Sequence, residues 1–157
     1  MQERITSQGR TFVVARETIA SAEEGALLKV DLNDPRLSPT NQEAAEGTPL
    51  TLLSAPHVKV DLSRRTKAPM PFWHRNADAD ELIVCLAGEI HWETELGEAH
   101  LKAGEMLLIP RGVAHRSLPG TPPPGGTNLV LELKVEGALA PTEALRVALE
   151  GERGKAR

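Results

Sequence analysis

Three residues of this chain have the types and the spacing to hold a metal ion: His74, Glu81 and His115. They fall in two pieces. The first reads His74-x-Asn76, four residues, Glu81, six residues, Gly88. The second reads Gly104, five residues, Pro110-x-Gly112, two residues, His115, and fifteen residues separate the two pieces. In an extended chain, residues two apart point to one face. His74 and Asn76 therefore project together, and Glu81 shares a face with Ile83 and Cys85. On the second piece Val113, His115 and Ser117 share a face. Two histidines and one carboxylate with open positions left over form the facial triad that suits non-haem iron(II). The alternative for these three residues is a set of structural polar groups. Asn76 is either a weak fourth ligand through its carbonyl oxygen or a residue that orients water or closes the turn.

The elements that must carry these residues read as strands. Ala77-Asp78-Ala79-Asp80 is a turn, and Glu81–Leu86 is a strand rich in apolar residues. Glu89–Glu95 alternates, with Ile90, Trp92 and Thr94 opposite His91, Glu93 and Glu95. Leu96-Gly97-Glu98 turns the chain so that Ala99–Lys102 pairs back. Gly104–Ile109 is a strand, Pro110–Gly112 a tight turn, Gly120–Gly126 a stiff exposed loop, and Asn128–Val135 the last strong strand. Further strands are expected at Arg10–Arg16, Gly25–Leu32 and Pro49–Leu53. His57–Leu62 is another, and its alternation predicts Val58, Val60 and Leu62 buried on one face. A helical turn is expected at Gln42–Ala45. Pro141–Glu150 has proline at a helix start followed by good helix formers.

With these residues in place, the stretch from Phe72 to Arg116 resembles the cupin superfamily. His74, Glu81 and Gly88 match the first cupin motif. Ala68 stands at its usual glycine, and Asn76 replaces its second histidine. Gly104, Pro110, Gly112 and His115 match the second motif, whose final asparagine position holds Pro119. The wording HRNADADE and IPRG is also similar to the amino-terminal cupin half of homogentisate dioxygenases, where the ligand positions are usually lost. The resemblance implies an all-β fold: a single jelly-roll barrel over residues 1–157, with its core at about 49–136 and a short C-terminal helix at about 141–150. It implies one divalent metal on His74, Glu81 and His115, with Asn76 beside it. It also implies a homodimer to which early strands contribute.

Composition narrows the partners. The 157 residues carry a net charge of -4, which argues against a nucleic-acid surface. No long apolar run or secretory segment opens the chain, so a cytoplasmic protein without a membrane partner is expected. One cysteine, Cys85, forms no internal disulfide and reads as a buried, inert thiol. The absence of tyrosine removes phenol acid-base chemistry. Arg75, Arg116 and Trp73 each neighbour a proposed ligand and should point away from it. Arg111 sits in the turn, either solvated or reaching an anionic substrate. His57, His91 and His100 read as solvated.

The leading expectation is a dioxygenase of small organic molecules, aromatic or diketone, with iron(II) favoured over manganese, nickel, zinc or copper. The alternatives are a metal-bearing module that binds or senses a small molecule without turnover, and a metal-dependent isomerase, hydrolase or lyase. Fold alone does not choose among them. Proton competition at two ordinary histidines predicts metal affinity falling between about pH 6 and 5, by more than one proton per ion.

Overall fold

The computed structural model describes residues 2–15, 27–65 and 68–153. They fall into two compact units, Met1–Asp34 and Pro35–Arg157. In the first unit β1 (Gln2–Ser7) and β2 (Arg10–Ala15) pair antiparallel. Gln8 and Gly9 turn the hairpin, both with positive φ. The sequence reading expects β2 and misses β1, whose residues QERITS carry a single large apolar side chain. The strand expected at Gly25–Leu32 does not form over its described residues, 27–32. Alternation alone does not make a strand, because the backbone also needs a ladder partner. Here Asp31 turns the chain instead: its carboxylate accepts from the Asn33 N–H at 2.9 Å, and its carbonyl from Asp34.

The second unit contains β3 (Leu50–Ala55), β4 (Val58–Ser63), β5 (Asp80–Ala87), β6 (Glu89–Thr94), β7 (Gly97–Lys102), β8 (Met106–Ile109), β9 (His115–Pro119) and β10 (Leu129–Val135). The helix α1 (Glu143–Arg153) follows, beginning two residues and ending three residues later than expected. A short 3-10 turn, Thr40–Gln42, stands near the expected helical turn. The strands make a five-stranded sheet in the order β3-β4-β10-β5-β8 and a three-stranded sheet in the order β7-β6-β9, with every pairing antiparallel. Ile83, Cys85, Ile109 and Val130 of the first sheet pack with Ile90, Trp92 and Leu101 of the second in one core. This is the arrangement expected of a cupin jelly roll.

Motif glycines sit where the chain needs them. Gly88 links β5 to β6 with φ of 73°, and a Cβ there would lie 2.0 Å from the Asn128 side-chain oxygen. Asn128, fully buried, uses that oxygen to accept from the Glu89 N–H and donates its amide to the Arg65 and Gly120 carbonyls.

The expected burial of β4 is only partly met. Leu62 is fully buried and Val60 half-buried, but Val58 is 36% exposed. The opposite face, Asp61 and Ser63, is buried as well. Alternation separates two faces of a strand without saying which one faces inward. In this sheet, apolar residues line one face from edge to edge: Leu53, Val60, Leu133, Leu82 and Leu108 are neighbours across the five strands. The other face carries Asp61, Glu132, Lys134 and Glu81 toward the interior.

Candidate metal centre

Backbone pairing brings the two histidines together. The His74 N–H donates to the His115 carbonyl at 3.0 Å, and the His115 N–H donates back at 2.8 Å. This single antiparallel bridge, at the start of β9, makes the two side chains direct neighbours. Their ring centroids are 4.3 Å apart. The Gly112 N–H, in the turn before β9, bonds the Asn76 carbonyl at 2.7 Å and secures the same pairing. Gly112 has φ of 81°, a conformation that favours glycine. Glu81 enters from β5, opposite Ile109 on one side and Lys134 on the other. Each of His74, Glu81 and His115 offers one ligand atom, and these atoms lie within 4.8 Å of one another.

The polar contacts fix which atoms are offered. The Val113 carbonyl lies 2.9 Å from His115 Nδ1. That carbonyl can only accept, so Nδ1 carries the proton and Nε2 of the neutral ring presents a lone pair. Nε2 stands 3.1 Å from Glu81 Oε2 but is not aligned for a hydrogen bond. Two lone-pair atoms that close repel unless a proton or a cation lies between them. His74 Nδ1 is likewise buried without a hydrogen-bond partner among the described residues. Buried polar atoms are seldom left so. Two imidazole nitrogens and a carboxylate oxygen within 4.8 Å of one another fit a divalent transition-metal ion.

Charges around the three residues are dense. Lys134 Nζ lies 3.1 Å from Asp61 Oδ2, 3.6 Å from Glu81 Oε1 and 3.6 Å from Glu132 Oε2. Burial and the neighbouring His115 cation hold His74 below the ordinary histidine value. Burial also pulls on His115, but the Glu81 carboxylate, the Val113 carbonyl and Glu132 together carry it above that value. Burial would raise Glu81, and the close His115 imidazole and the Lys134 ammonium bring it below the usual range. Burial, followed by the charge of Glu81, lifts Glu132 to about 7. A cavity of about 60 Å³ opens onto this cluster, with His74, Glu81, Trp92, Ser117, Glu132 and Lys134 among its walls.

The remaining expectations divide. Asn76 stands beside the centre, but its amide donates to Glu81 Oε2 at 2.6 Å, so it orients the carboxylate. Arg111 is held by Asp80, 3.4 Å away, and is not among the cavity walls. Arg116 pairs with Glu93 at 2.5 Å and lies over the exposed ring of Trp73, both away from the cavity. His57 pairs with the exposed Glu136, and His91 stacks on His100 at 4.0 Å; none of these three joins the cluster. Cys85 is fully buried, and burial raises its thiol above the ordinary value.

The sequence reading misses Lys134, Glu132, Asp61, Arg65 and Trp92. A signal is present in β10, where Val130, Glu132 and Lys134 alternate with Leu129, Leu131 and Leu133. Two charged residues on one face of a strand otherwise full of leucine mark either a solvated face or a polar interior, and only the partner strands decide between them.

Comparison with known proteins agrees with this geometry. The family model described as a cupin domain matches residues 61–118. A Saccharolobus solfataricus protein named as a putative dioxygenase is 30% identical over 66 residues, 42% of this chain and 17% of its own length. The Bacillus subtilis protein YdbB, named as uncharacterized, is 46% identical over 46 residues, 29% of this chain and 41% of its own length. The chain thus spans less than half of either relative. A crystal structure from Ralstonia eutropha, titled as a putative mannose-6-phosphate isomerase, superposes with a TM-score of 0.52 at 17% identity, over 71% of this chain and all of its own. That likeness is one of fold. Residues 61–118, which carry His74, Glu81 and His115, thus match a cupin domain, and the two sheets around them are arranged as that fold requires.

Proposed function

We propose that His74, Glu81 and His115 hold one divalent metal ion, iron(II) in the working protein, and that the chain is a dioxygenase of a small organic molecule. The observation that carries the reading is the 3.1 Å approach of His115 Nε2 to Glu81 Oε2 without a hydrogen bond, beside an unpartnered His74 Nδ1. Three protein ligands on a two-histidine, one-carboxylate set leave open positions for substrate and O₂. When bound, the ion supplies Lewis acidity and a route for electrons. The chain supplies position: the Val113 carbonyl fixes the His115 ring, Asn76 and Lys134 hold the two oxygens of Glu81, and the walls of the cavity limit water. The name of the Saccharolobus relative supports the reaction class over the matched segment.

Iron(II)-loaded protein should take up O₂ with at least one compound from a panel of small carboxylates, diketones and catechols. Metal content is measured in the same preparation. One ion per chain with no metal-dependent uptake across the panel would favour a binding module without turnover. Product formed equally with and without O₂ would favour an isomerase, hydrolase or lyase.

A further inference from the structure

The cavity itself restricts what can bind beside the ion. Its volume is about 60 Å³. A dry cavity that admits benzene measures roughly 150 Å³, and one water occupies at least about 10–15 Å³ on the same kind of measure. The space therefore suits a ligand of a few heavy atoms and excludes an aromatic ring. The charges restrict it further. Asp61, Glu81 and Glu132 face Arg65 and Lys134, all in or beside the cavity wall. Three carboxylates against two cations leave one excess negative charge, and a divalent ion turns it into one excess positive charge. The Lys59 ammonium, 3.3 Å from Asp61, moves the balance further in the same direction. Finally, Trp92 lines the cavity at 2% exposure, and its Nε1–H is buried without an acceptor among the described residues. An indole N–H is a donor only.

From these three observations we infer that the centre takes a small aliphatic carboxylate, and that Trp92 donates its indole N–H to an oxygen of that ligand. The inference rests on the metal reading above and narrows its substrate class. In this role Trp92 selects for an acceptor at one place in the cavity. A ligand without an oxygen there leaves the buried donor unpaired, which is how a polar site rejects an otherwise similar molecule.

The test uses the full chain loaded with cobalt(II), its metal content measured, and calorimetric titration with pyruvate and with benzoate. Pyruvate should bind at least tenfold more tightly than benzoate. Trp92→Phe should weaken pyruvate about tenfold, the effect of one buried hydrogen bond, at unchanged cobalt content. A second measurement needs no variant at residue 92. The chain has two tryptophans, so the zinc-loaded protein gives two indole N–H resonances, and Trp73→Phe assigns them. Pyruvate should move the Trp92 resonance and leave that of Trp73 in place. Benzoate binding as tightly as pyruvate, or an unmoved Trp92 resonance at saturating pyruvate, would overturn the inference. One cobalt per chain with no pyruvate binding removes the ligand class alone. Failure of the natural chain to hold cobalt removes the metal reading along with it.

Discussion

Along β5 the inward residues run Glu81, Ile83, Cys85; along antiparallel β10 they run Val130, Glu132, Lys134. The register sets Lys134 against Glu81 and Val130 against Cys85. One pair of strands therefore builds both ends of the interior. At the dry end, Ile83, Cys85, Ile90 and Val130 are fully buried and apolar. At the other end Asp61, Glu81, Glu132 and His115 are buried, with Lys134, Arg65 and His74 beside them. The dry end gains from removal of apolar surface from water. The charged end does not, since buried ion pairs seldom stabilise more than well-packed hydrophobic groups would. Its presence is better understood as chemistry carried on a scaffold that the dry end holds together.

The comparison predicts that the two ends fail differently. Ile83→Ala should lower unfolding free energy by about 2–5 kcal/mol, through lost burial and the cavity left behind. The folded fraction should still bind one ion per chain, which denaturant titration and metal analysis together would reveal. His115→Ala should do the reverse. Metal affinity should drop about a hundredfold or more, since two protein ligands make a poor site, while Glu81 keeps Lys134 and Asn76 as partners. Unchanged metal stoichiometry in His115→Ala would break the division of labour outright.

The two ends were not equally legible. Ile83 and Cys85 follow from the alternation of β5, and the histidine–glutamate set follows from residue types at motif spacing. The turn glycines Gly88 and Gly112 were readable for the same reason, because positive φ narrows the choice of residue. Lys134, Glu132 and Asp61 were not, because their burial depends on β4, β10 and β5 pairing in this order, a long-range fact. Val58, expected inside, is 36% exposed for the same reason. Asn128 shows a related gap: its partners Arg65, Gly120 and Glu89 are distant in sequence, and nothing local marks it as the residue that ties them together.

A smaller effect tests the boundary of the charged end. Asn76 touches Glu81 and no other group in the cluster that the structure records. Asn76→Ala should weaken metal binding about tenfold, at the low end for a residue that orients a ligand. A loss as large as that of His115→Ala would make Asn76 a ligand in its own right. Asn76→His sharpens the same question, since a tighter ion would mean that position 76 faces the metal rather than only the carboxylate.

The smallest effect is the dependence on pH near neutrality, and here the structure alters the expectation drawn from ordinary histidines. Both rings must be neutral at the ligating nitrogen, so each proton bound competes with the ion. The pKa of His115 is raised in the ion-free protein and that of His74 is lowered. On lowering the pH, His115 therefore takes up its proton first, beginning above the ordinary value of about 6.5. His74 follows only below that value. Affinity should accordingly start to fall above pH 6.5 rather than at 6, with a slope of one proton per ion, which is at most about tenfold per pH unit. The second proton should steepen the fall only further down. Chelator competition with zinc(II) between pH 8 and pH 5 reads this slope directly. A two-proton slope from the outset would mean that the histidines titrate alike, and that the carboxylate 3.1 Å from His115 does not distinguish them. Affinity flat to pH 5 would mean that neither histidine is a ligand, and the charged end would then be a structural network and no more.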